Sequence, residues 1–301
     1  MSPLRKIRRK ISSTVRSAVS SPPTPLLVQE AVDELVRHTD QFTDVIGAMT
    51  RSEGSLSRFG RQVFSQADED GITLELVRRV FDRPGLVVEL GVGDGMENNS
   101  LVLLALGWRA VWAGNEDIGF AVSDFPDAIA YERSWITRDN AGAIVTAGLA
   151  ALGARLADVD VLMVDLDGND LHVTRALLDE GLAPRALVVE YNSYLPPPIR
   201  WVMEYDPQHV WRPPSLNYGA SLQAYADLLG ARGYVLVACN AQTGNNAFFV
   251  HADHEDRFSE VSRDIRDLYV GRAQSVYNTA HNKKRLSRDF VESVLRASRR
   301  G

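Results

Sequence analysis

Residues 86–95 read Leu-Val-Val-Glu-Leu-Gly-Val-Gly-Asp-Gly. The first five residues form an apolar run interrupted only by Glu89, which is typical of a buried strand. Three glycines follow within five positions, and glycine permits a tight turn in which backbone N–H groups approach a ligand closely. The pattern predicts a strand, a glycine turn and a helix, with a ligand site at the carboxyl end of the strand.

The same strand-then-helix alternation continues along the chain. Apolar runs predict further strands at 110–113, 129–135, 159–164, 186–190, 234–239 and 247–250. Helical patterns fall at 71–82, 97–107, 140–155, 170–180 and 220–231. We therefore predict an α/β fold with a doubly wound, mostly parallel seven-stranded sheet, a C-terminal β-hairpin and an N-terminal helical extension.

Composition and charge limit the class of protein to which this chain can belong. The chain has 301 residues, of which 45% are hydrophobic and 24% charged, and a net charge of −6, which is ordinary for a globular protein. The basic residues concentrate at the two ends and leave an acidic middle, so we expect no nucleic-acid partner. The basic ends favour either solvated tails or weak contact with an anionic membrane surface. Cys239 is the single cysteine, which excludes an intramolecular disulfide.

The expected organisation has four parts. Residues 1–25 form a basic tail and linker, and residues 26–62 form a helical extension whose apolar positions fall seven apart, as in a homodimer contact. Residues 63–252 form the main domain, with an irregular insertion at 193–218 that is rich in proline and aromatic residues. Residues 253–301 form a C-terminal helical segment with a basic tail. We found no apolar run of about 18 residues and no secretory signal, and we expect a cytoplasmic protein, peripheral to the inner membrane face if the tails bind it.

Acidic groups follow the predicted strands. The segment 164–170 reads Val-Asp-Leu-Asp-Gly-Asn-Asp, and 189–192 reads Val-Glu-Tyr-Asn. Because the carboxyl ends of parallel strands meet at one edge of a sheet, we expect these groups to share a crevice in which a cation relieves their repulsion. A helix N-cap cluster is the plain alternative. The Asp-x-Asp-Gly loop of haloacid dehalogenase-type phosphatases is disfavoured, because that loop follows the first strand of its fold.

Residues 64–250 resemble class I S-adenosylmethionine-dependent methyltransferases of the FkbM type. Five segments carry the resemblance: 65–71 (SQADEDG), the glycine turn running into 98–100 (NNS), 164–170, 189–192 and 246–250 (NAFFV). The segment 167–170 is also similar to the metal-binding region of macrocin-type sugar O-methyltransferases. The alternative G-x-G-x-x-G dinucleotide motif fails because Met96 occupies its last position.

The resemblance implies a Rossmann-like fold, S-adenosylmethionine as cofactor, and methylation of a hydroxyl on a sugar or glycoconjugate acceptor with Mg²⁺. A methyltransferase-fold partner of a glycan-assembly complex that no longer catalyses remains the alternative. The aromatic residues of the insertion suit either stacking on sugar faces or packing: Trp201, Tyr205, Trp211 and Tyr218. The implied cofactor residues are Glu89, Gly91, Gly93, Asp94, Glu116 for the ribose and Asp139 for the adenine. The implied metal ligands are Asp167, Glu190 and Asn192, and the catalytic candidates are Asp165 as base, Asp167, and His209 as a second base.

Overall fold

A seven-stranded sheet organises the computed structural model, which describes residues 53–212 and 215–271. The strand order is β3-β2-β1-β4-β5-β7-β6, and β7 alone runs antiparallel to its neighbours. The predicted doubly wound sheet with its closing hairpin is confirmed. The strands are β1 (Leu86–Leu90), β2 (Arg109–Gly114), β3 (Ile129–Arg133), β4 (Val161–Val164), β5 (Ala186–Glu190), β6 (Tyr234–Cys239) and β7 (Asn246–His251).

Six α-helices lie in the described part of the chain. They are α1 (Glu69–Val80), α2 (Leu101–Ala105), α3 (Ala141–Ala151), α4 (Asp170–Asp179), α5 (Leu222–Gly230) and α6 (Ile265–Leu268). Helix α2 is much shorter than the predicted 97–107. The expected C-terminal helical segment consists of a 3-10 helix (Ala252–Phe258) and α6 as far as the described residues extend. None of the described helices is long and apolar enough to span a bilayer.

The expected terminal segments lie outside the described residues. These are the basic tail and linker 1–25, residues 26–52 of the helical extension with its dimer contact, and the basic C-terminal tail from residue 272. They remain predictions from the sequence.

Apolar layers cover both faces of the sheet. On one face, Val88 and Leu90 of β1 pack in a core with residues of α3, α4 and α5. On the other face, Val87 packs with residues of α1 and α2. Each fully buried aliphatic side chain contributes about 1.5–3 kcal/mol of hydrophobic free energy, so the two layers fix the alternation of strand side chains. Glu89 lies between Val88 and Leu90 and therefore points to the α1 and α2 side.

The carboxyl end of β1 is the point where the order of the strands in the sheet reverses. The chain leaves β1 to form β2 on one side, and it later returns to form β4 on the other side. The loops that follow β1 and β4 therefore diverge and leave a crevice between them. Open α/β sheets bind ligands in a crevice of this kind.

The insertion 193–218 packs as a small unit of its own above this end of the sheet. Its core consists of Leu195, Trp201, Met203 and Leu216. An isolated bridge pairs Val202 with Ala220 and ties the insertion to the start of α5. Three further contacts fasten the insertion and the adjoining Gly219 to the loop after β4 and to α4: Asn169 Nδ2 donates to Asp206 O, His172 Nε2 lies 2.8 Å from Met203 O, and Gly219 N donates to Gly168 O.

Candidate active site

The glycine turn after β1 has the geometry that the sequence predicts. Gly91 has a φ of 96° and Gly93 a φ of 54°, which L side chains rarely adopt. A Cβ on Gly91 would lie 1.6 Å from the carbonyl oxygen of Asp165, so only glycine lets the turn pass the end of β4. A Cβ on Gly93 would meet nothing within 4 Å. The backbone at Gly93 is therefore open to whatever occupies the crevice.

Glu89 anchors the segment after the turn. Its Oε1 accepts a hydrogen bond from Asn99 N (2.8 Å), and its Oε2 accepts from Ser100 N (2.9 Å) and from Asn98 Nδ2 (2.8 Å). Burial raises the pKa of Glu89, and these bonds oppose that shift. The carboxylate takes up backbone donors that precede α2. This role explains why α2 begins at Leu101 and not at residue 97.

A cavity of about 400 Å³ lies over the carboxyl ends of the strands. It touches the glycine turn, the ends of β4 and β5, the start of β7 and the insertion. None of the described residues that line it is basic. Seven are acidic: Glu69, Glu89, Glu97, Glu116, Asp165, Asp167 and Glu190. The cavity therefore favours a cationic ligand over an anionic one.

A second cavity of about 260 Å³ adjoins the first. The two share the glycine turn, Glu116, Asp165, Asp167 and Trp211. The smaller cavity is more apolar, because Trp135, Ile136, Leu166 and Val210 line it. A ligand that spans both cavities would have a flat apolar end and a polar, cationic end.

Three carboxylates form a cluster below the larger cavity. Asp165, Asp170 and Glu190 each place an oxygen within 4.8 Å of the others. Asp170 accepts hydrogen bonds from Leu166 N and Gly168 N, which fix its orientation. Burial raises the pKa of Asp170 to about 6. Burial and the charges of Asp170 and Asp167 raise the pKa of Asp165 well above its usual range. A cation would relieve this repulsion.

This cluster differs from the metal ligands expected from the sequence. Only Glu190 belongs to both sets. Asn192 is fully buried, where its Nδ2 donates to Leu216 O and Tyr218 O and its Oδ1 accepts from Tyr194 N. That amide braces the insertion, and its oxygen already accepts the hydrogen bond from Tyr194 N. Asp170, which the sequence analysis placed in the acidic segment 164–170 without naming it as a ligand, lies in the carboxylate cluster.

Asp167 lies beside the cluster and lines both cavities. It is the one non-glycine residue with a positive φ (54°) among those described. Strain of this kind is held where the surrounding structure requires it, and it clusters at functional sites. Burial raises the pKa of Asp167, whereas the nearby His209 lowers it.

His209 lies on the side of the smaller cavity. Its ring packs over Gly168, where a Cβ would come within 2.3 Å of His209 Cδ2. Its Nε2 is buried and has no hydrogen-bond partner among the described residues. His209 does not line the larger cavity, although it was expected as a second base.

The six expected cofactor residues divide into two groups. Glu89, Gly91, Gly93 and Glu116 line the larger cavity. Asp94 lines neither cavity, and its Oδ1 accepts from Met96 N (3.0 Å). Asp139 also lies outside both, beside Arg138 and the hydroxyl of Tyr205.

Of the four insertion aromatics considered for stacking, two face the larger cavity. Trp211 and Tyr218 line it, with their ring centroids 6.1 Å apart. Trp201 is buried in the core of the insertion. Tyr205 contacts the Arg138 guanidinium, which lies 3.9 Å from its ring centroid. Stacking on a ligand is therefore open to Trp211 and Tyr218, and packing accounts for the other two.

Sequence reasoning missed Glu69 as a site residue. Glu69 Oε1 accepts from Asn240 Nδ2 (2.9 Å) and from Asn246 Nδ2 (3.3 Å), and Oε2 accepts from Ala67 N (3.0 Å). Burial, with a smaller contribution from Asp68, raises the pKa of Glu69 to about 7. The signal was present in the 65–71 segment, whose run of three acids was used only for the resemblance.

Neither a protein-family model nor a curated protein matches the chain. Among solved structures, a glycopeptide N-methyltransferase with bound S-adenosylmethionine is 14% identical, with a TM-score of 0.32 over 58% of this chain and 90% of that one. An O-methyltransferase family protein from Burkholderia thailandensis is 13% identical, with a TM-score of 0.33 over 82% and 69%.

A third solved structure comes from Lactococcus lactis and is of a protein proposed to be a hemolysin. It is 10% identical, with a TM-score of 0.34 over 79% of this chain and 100% of that one. At such identities and TM-scores these likenesses carry no argument about activity.

Proposed function

We propose that the protein transfers the methyl group of S-adenosylmethionine to a hydroxyl of a sugar or glycoconjugate. The observation that carries this proposal is the acidic cavity above the glycine turn of β1. A sulfonium ion and an ammonium group are both attracted to a cavity whose described lining includes seven acidic residues and no basic one. The pyrophosphate of a nicotinamide dinucleotide would be repelled there, which agrees with the absent last glycine at Met96.

The two cavities suit the two ends of this cofactor. The apolar walls of the smaller cavity, Trp135, Leu166 and Val210, fit a purine ring. Glu116 lines both cavities and is placed to accept hydrogen bonds from ribose hydroxyls. Gly93 leaves its backbone open beside the cationic end. Asp139 has no part in this arrangement, because it lies outside both cavities.

Asp167 is the best placed proton acceptor. An alcohol must lose its proton as it attacks the methyl group, and a carboxylate whose pKa is raised is a better base than an ordinary one. Asp167 lines both cavities, and burial raises its pKa. Trp211 and Tyr218 present flat faces on which a sugar ring can stack.

The residues present fit a divalent cation. Asp165, Asp170 and Glu190 would hold Mg²⁺ through carboxylate oxygens, which are the ligands that this ion prefers. When bound, the ion would lower the pKa of an acceptor hydroxyl. Asp165, expected from the sequence as the base, would then be a ligand, and Asp167 would be left to take the proton.

Titration calorimetry with S-adenosylhomocysteine, with Mg²⁺ or with EDTA, tests this function. We expect binding with a micromolar dissociation constant in both conditions, because the glycine turn and Glu116, which would contact the cofactor, are not part of the carboxylate cluster. An acceptor screen with labelled S-adenosylmethionine would follow, starting with neutral sugars and comparing rates with Mg²⁺ and with EDTA. Absence of S-adenosylhomocysteine binding in both conditions would refute the proposal.

A further inference from the structure

A band of exposed apolar and acidic side chains borders the larger cavity. Two segments carry it, 94–97 at the end of the glycine turn and 115–128 between β2 and β3, and we call their exposed side the rim surface. Glu97 and Glu116 belong to the rim surface and also line the larger cavity. A molecule bound on the rim surface therefore lies beside whatever enters the cavity.

The apolar part of the rim surface is formed by Met96 and Phe125, which are 53% and 50% exposed. The Met96 side chain lies over Gly119, where an added Cβ would come 3.0 Å from Met96 Cγ. Phe120, the next residue, makes edge contacts with the buried Trp112 and with Phe125, at ring-centroid distances of 6.1 and 6.0 Å. Neither Met96 nor Phe125 lines a cavity, so the proposed cofactor site does not account for their exposure.

Backbone hydrogen bonds hold this apolar part in place. Gly119 N donates to Asp94 O (2.7 Å), which ties the two segments together. Phe125 N donates to Val122 O (2.9 Å), and Ile129 N donates to Phe125 O (3.0 Å). Binding costs less free energy when the contact residues are already ordered, and Met and Phe are enriched at protein–protein interfaces. The rim surface is thus an ordered apolar contact of the kind that a partner molecule covers.

The charge around this apolar part has a single sign. The two segments contain no Lys, Arg or His. Arg133 of β3 forms an ion pair with Asp117. Six exposed acids surround the apolar side chains: Asp94, Glu97, Glu116, Asp117, Asp124 and Asp127. The rim surface therefore attracts a partner that is both basic and apolar.

The same charge argues against two other occupants. An anionic membrane surface would be repelled by the exposed acids. A second copy of this chain, seated by two-fold symmetry, would bring the same acids face to face. A peptide segment with basic and apolar side chains fits both features, because its charges pair with the acids while its apolar groups cover Met96 and Phe125.

We propose that the rim surface binds a basic, apolar peptide segment of a partner protein. This inference goes beyond the proposed methyl transfer, because Met96 and Phe125 have no part in the cofactor or metal sites. A partner held there lies directly beside the larger cavity, since Glu97 and Glu116 belong to both.

Three fluorescein-labelled peptides separate the charge from the apolar contact. The first is an amphipathic peptide of leucine and lysine, the second has serine in place of leucine, and the third has glutamate in place of lysine. Fluorescence anisotropy with the full chain measures their dissociation constants. We expect micromolar binding of the leucine–lysine peptide, binding of the serine–lysine peptide that is about 10-fold weaker, and no binding of the leucine–glutamate peptide.

Substitutions on the rim surface should act selectively. Met96→Ser and Phe125→Ser should each weaken binding of the leucine–lysine peptide about five-fold and change that of the serine–lysine peptide less than about two-fold, because each removes only apolar area. Asp124→Asn should weaken both lysine peptides about two-fold at low salt and neither at high salt. Circular dichroism establishes that each variant folds. If Phe125→Ser does not fold, Met96→Ser carries the test, because Met96 is exposed.

The matched controls lie toward the opposite end of the sheet, near β6 and β7. Val63 is 58% exposed, and it precedes α1, whose N-cap Asp68 accepts from Gln242 N just after β6. Asp256 is exposed in the 3-10 helix that follows β7. Val63→Ser and Asp256→Asn should leave every dissociation constant within about two-fold.

Four results would overturn the proposal. The first is failure of the leucine–lysine peptide to bind, and the second is equal weakening of its binding by Met96→Ser and Val63→Ser. The third is binding to phosphatidylglycerol vesicles that Phe125→Ser abolishes, which would assign the surface to a lipid. The fourth is a dimer in analytical ultracentrifugation that Met96→Ser dissociates, which would assign it to a second copy.

Discussion

Gly91→Ala should disrupt the junction of β1 and β4. The added methyl carbon would lie 1.6 Å from Asp165 O, whereas ordinary contacts of this kind begin at 3.4 Å. The two backbones would have to separate by 3.4 − 1.6 = 1.8 Å. A displacement of that size breaks the hydrogen bond from Asp165 N to Leu90 O, now 3.0 Å. We expect a loss of about 4 kcal/mol, in the range of severe core substitutions.

Gly181→Ala separates this clash from backbone strain. Gly181 has a φ of 97°, close to the 96° of Gly91, but a Cβ there would meet nothing within 4 Å. Its substitution should cost only about 1–2 kcal/mol of left-handed strain. Urea unfolding at constant pH measures both variants. Thermal midpoints should fall by roughly 10 °C for Gly91→Ala and roughly 4 °C for Gly181→Ala.

The comparison has a clear refuting result. If Gly91→Ala is no less stable than Gly181→Ala, the turn does not pass the end of β4 as closely as described. Asp165 O would then not lie beside Gly91.

Three further predictions concern acidic residues. Glu89→Gln should lose about 2 kcal/mol in urea unfolding, because the carboxylate accepts three hydrogen bonds and an amide cannot replace them all; unchanged stability would contradict its anchoring role. Burial raises the pKa of Glu69 from 4.5 to about 7, so the folded state binds the proton of the Glu69 carboxyl more tightly than the unfolded state does. The free energy of unfolding should therefore fall by up to about 3 kcal/mol as the pH rises from 4.5 through 7. The fall should be absent in Glu69→Gln, and an identical pH profile would count against the shift. Asp167→Asn should slow methyl transfer about 100-fold and leave the dissociation constant of S-adenosylhomocysteine within two-fold; weakened binding would assign Asp167 to the cofactor.

Local patterns predicted the strands well and the helix ends less well. The apolar run 86–90 is short, contains two valines and lies between Gly85 and Gly91, and these local features together are typical of a buried strand. The start of α2 depends on a side chain outside the helix, since Glu89 accepts hydrogen bonds from the backbone N–H groups of residues 99 and 100. Helical periodicity contains no information about that contact.

The candidate site depended on pairings between distant residues. The loop after β4 was recognised from its acids, but the choice between Asp170 and Asn192 rests on which way each side chain turns. Glu69 and Asn246 are 177 positions apart, and they meet because β7 pairs with β5 so that Asn246 lies opposite Glu190. A register shift of one residue would turn Asn246 to the other face.

The cavity has two halves, which are built by separate parts of the chain. One half is built by β1, its glycine turn and the Glu89 anchor. The other is a roof, formed by the insertion and Gly219, that carries Trp211 and Tyr218 and is fastened to the acidic loop at Gly168 and Asn169 and to α4 at His172. Exchange of the roof could therefore alter which acceptor is admitted while the methyl donor's half stays intact, provided that those fastenings are kept.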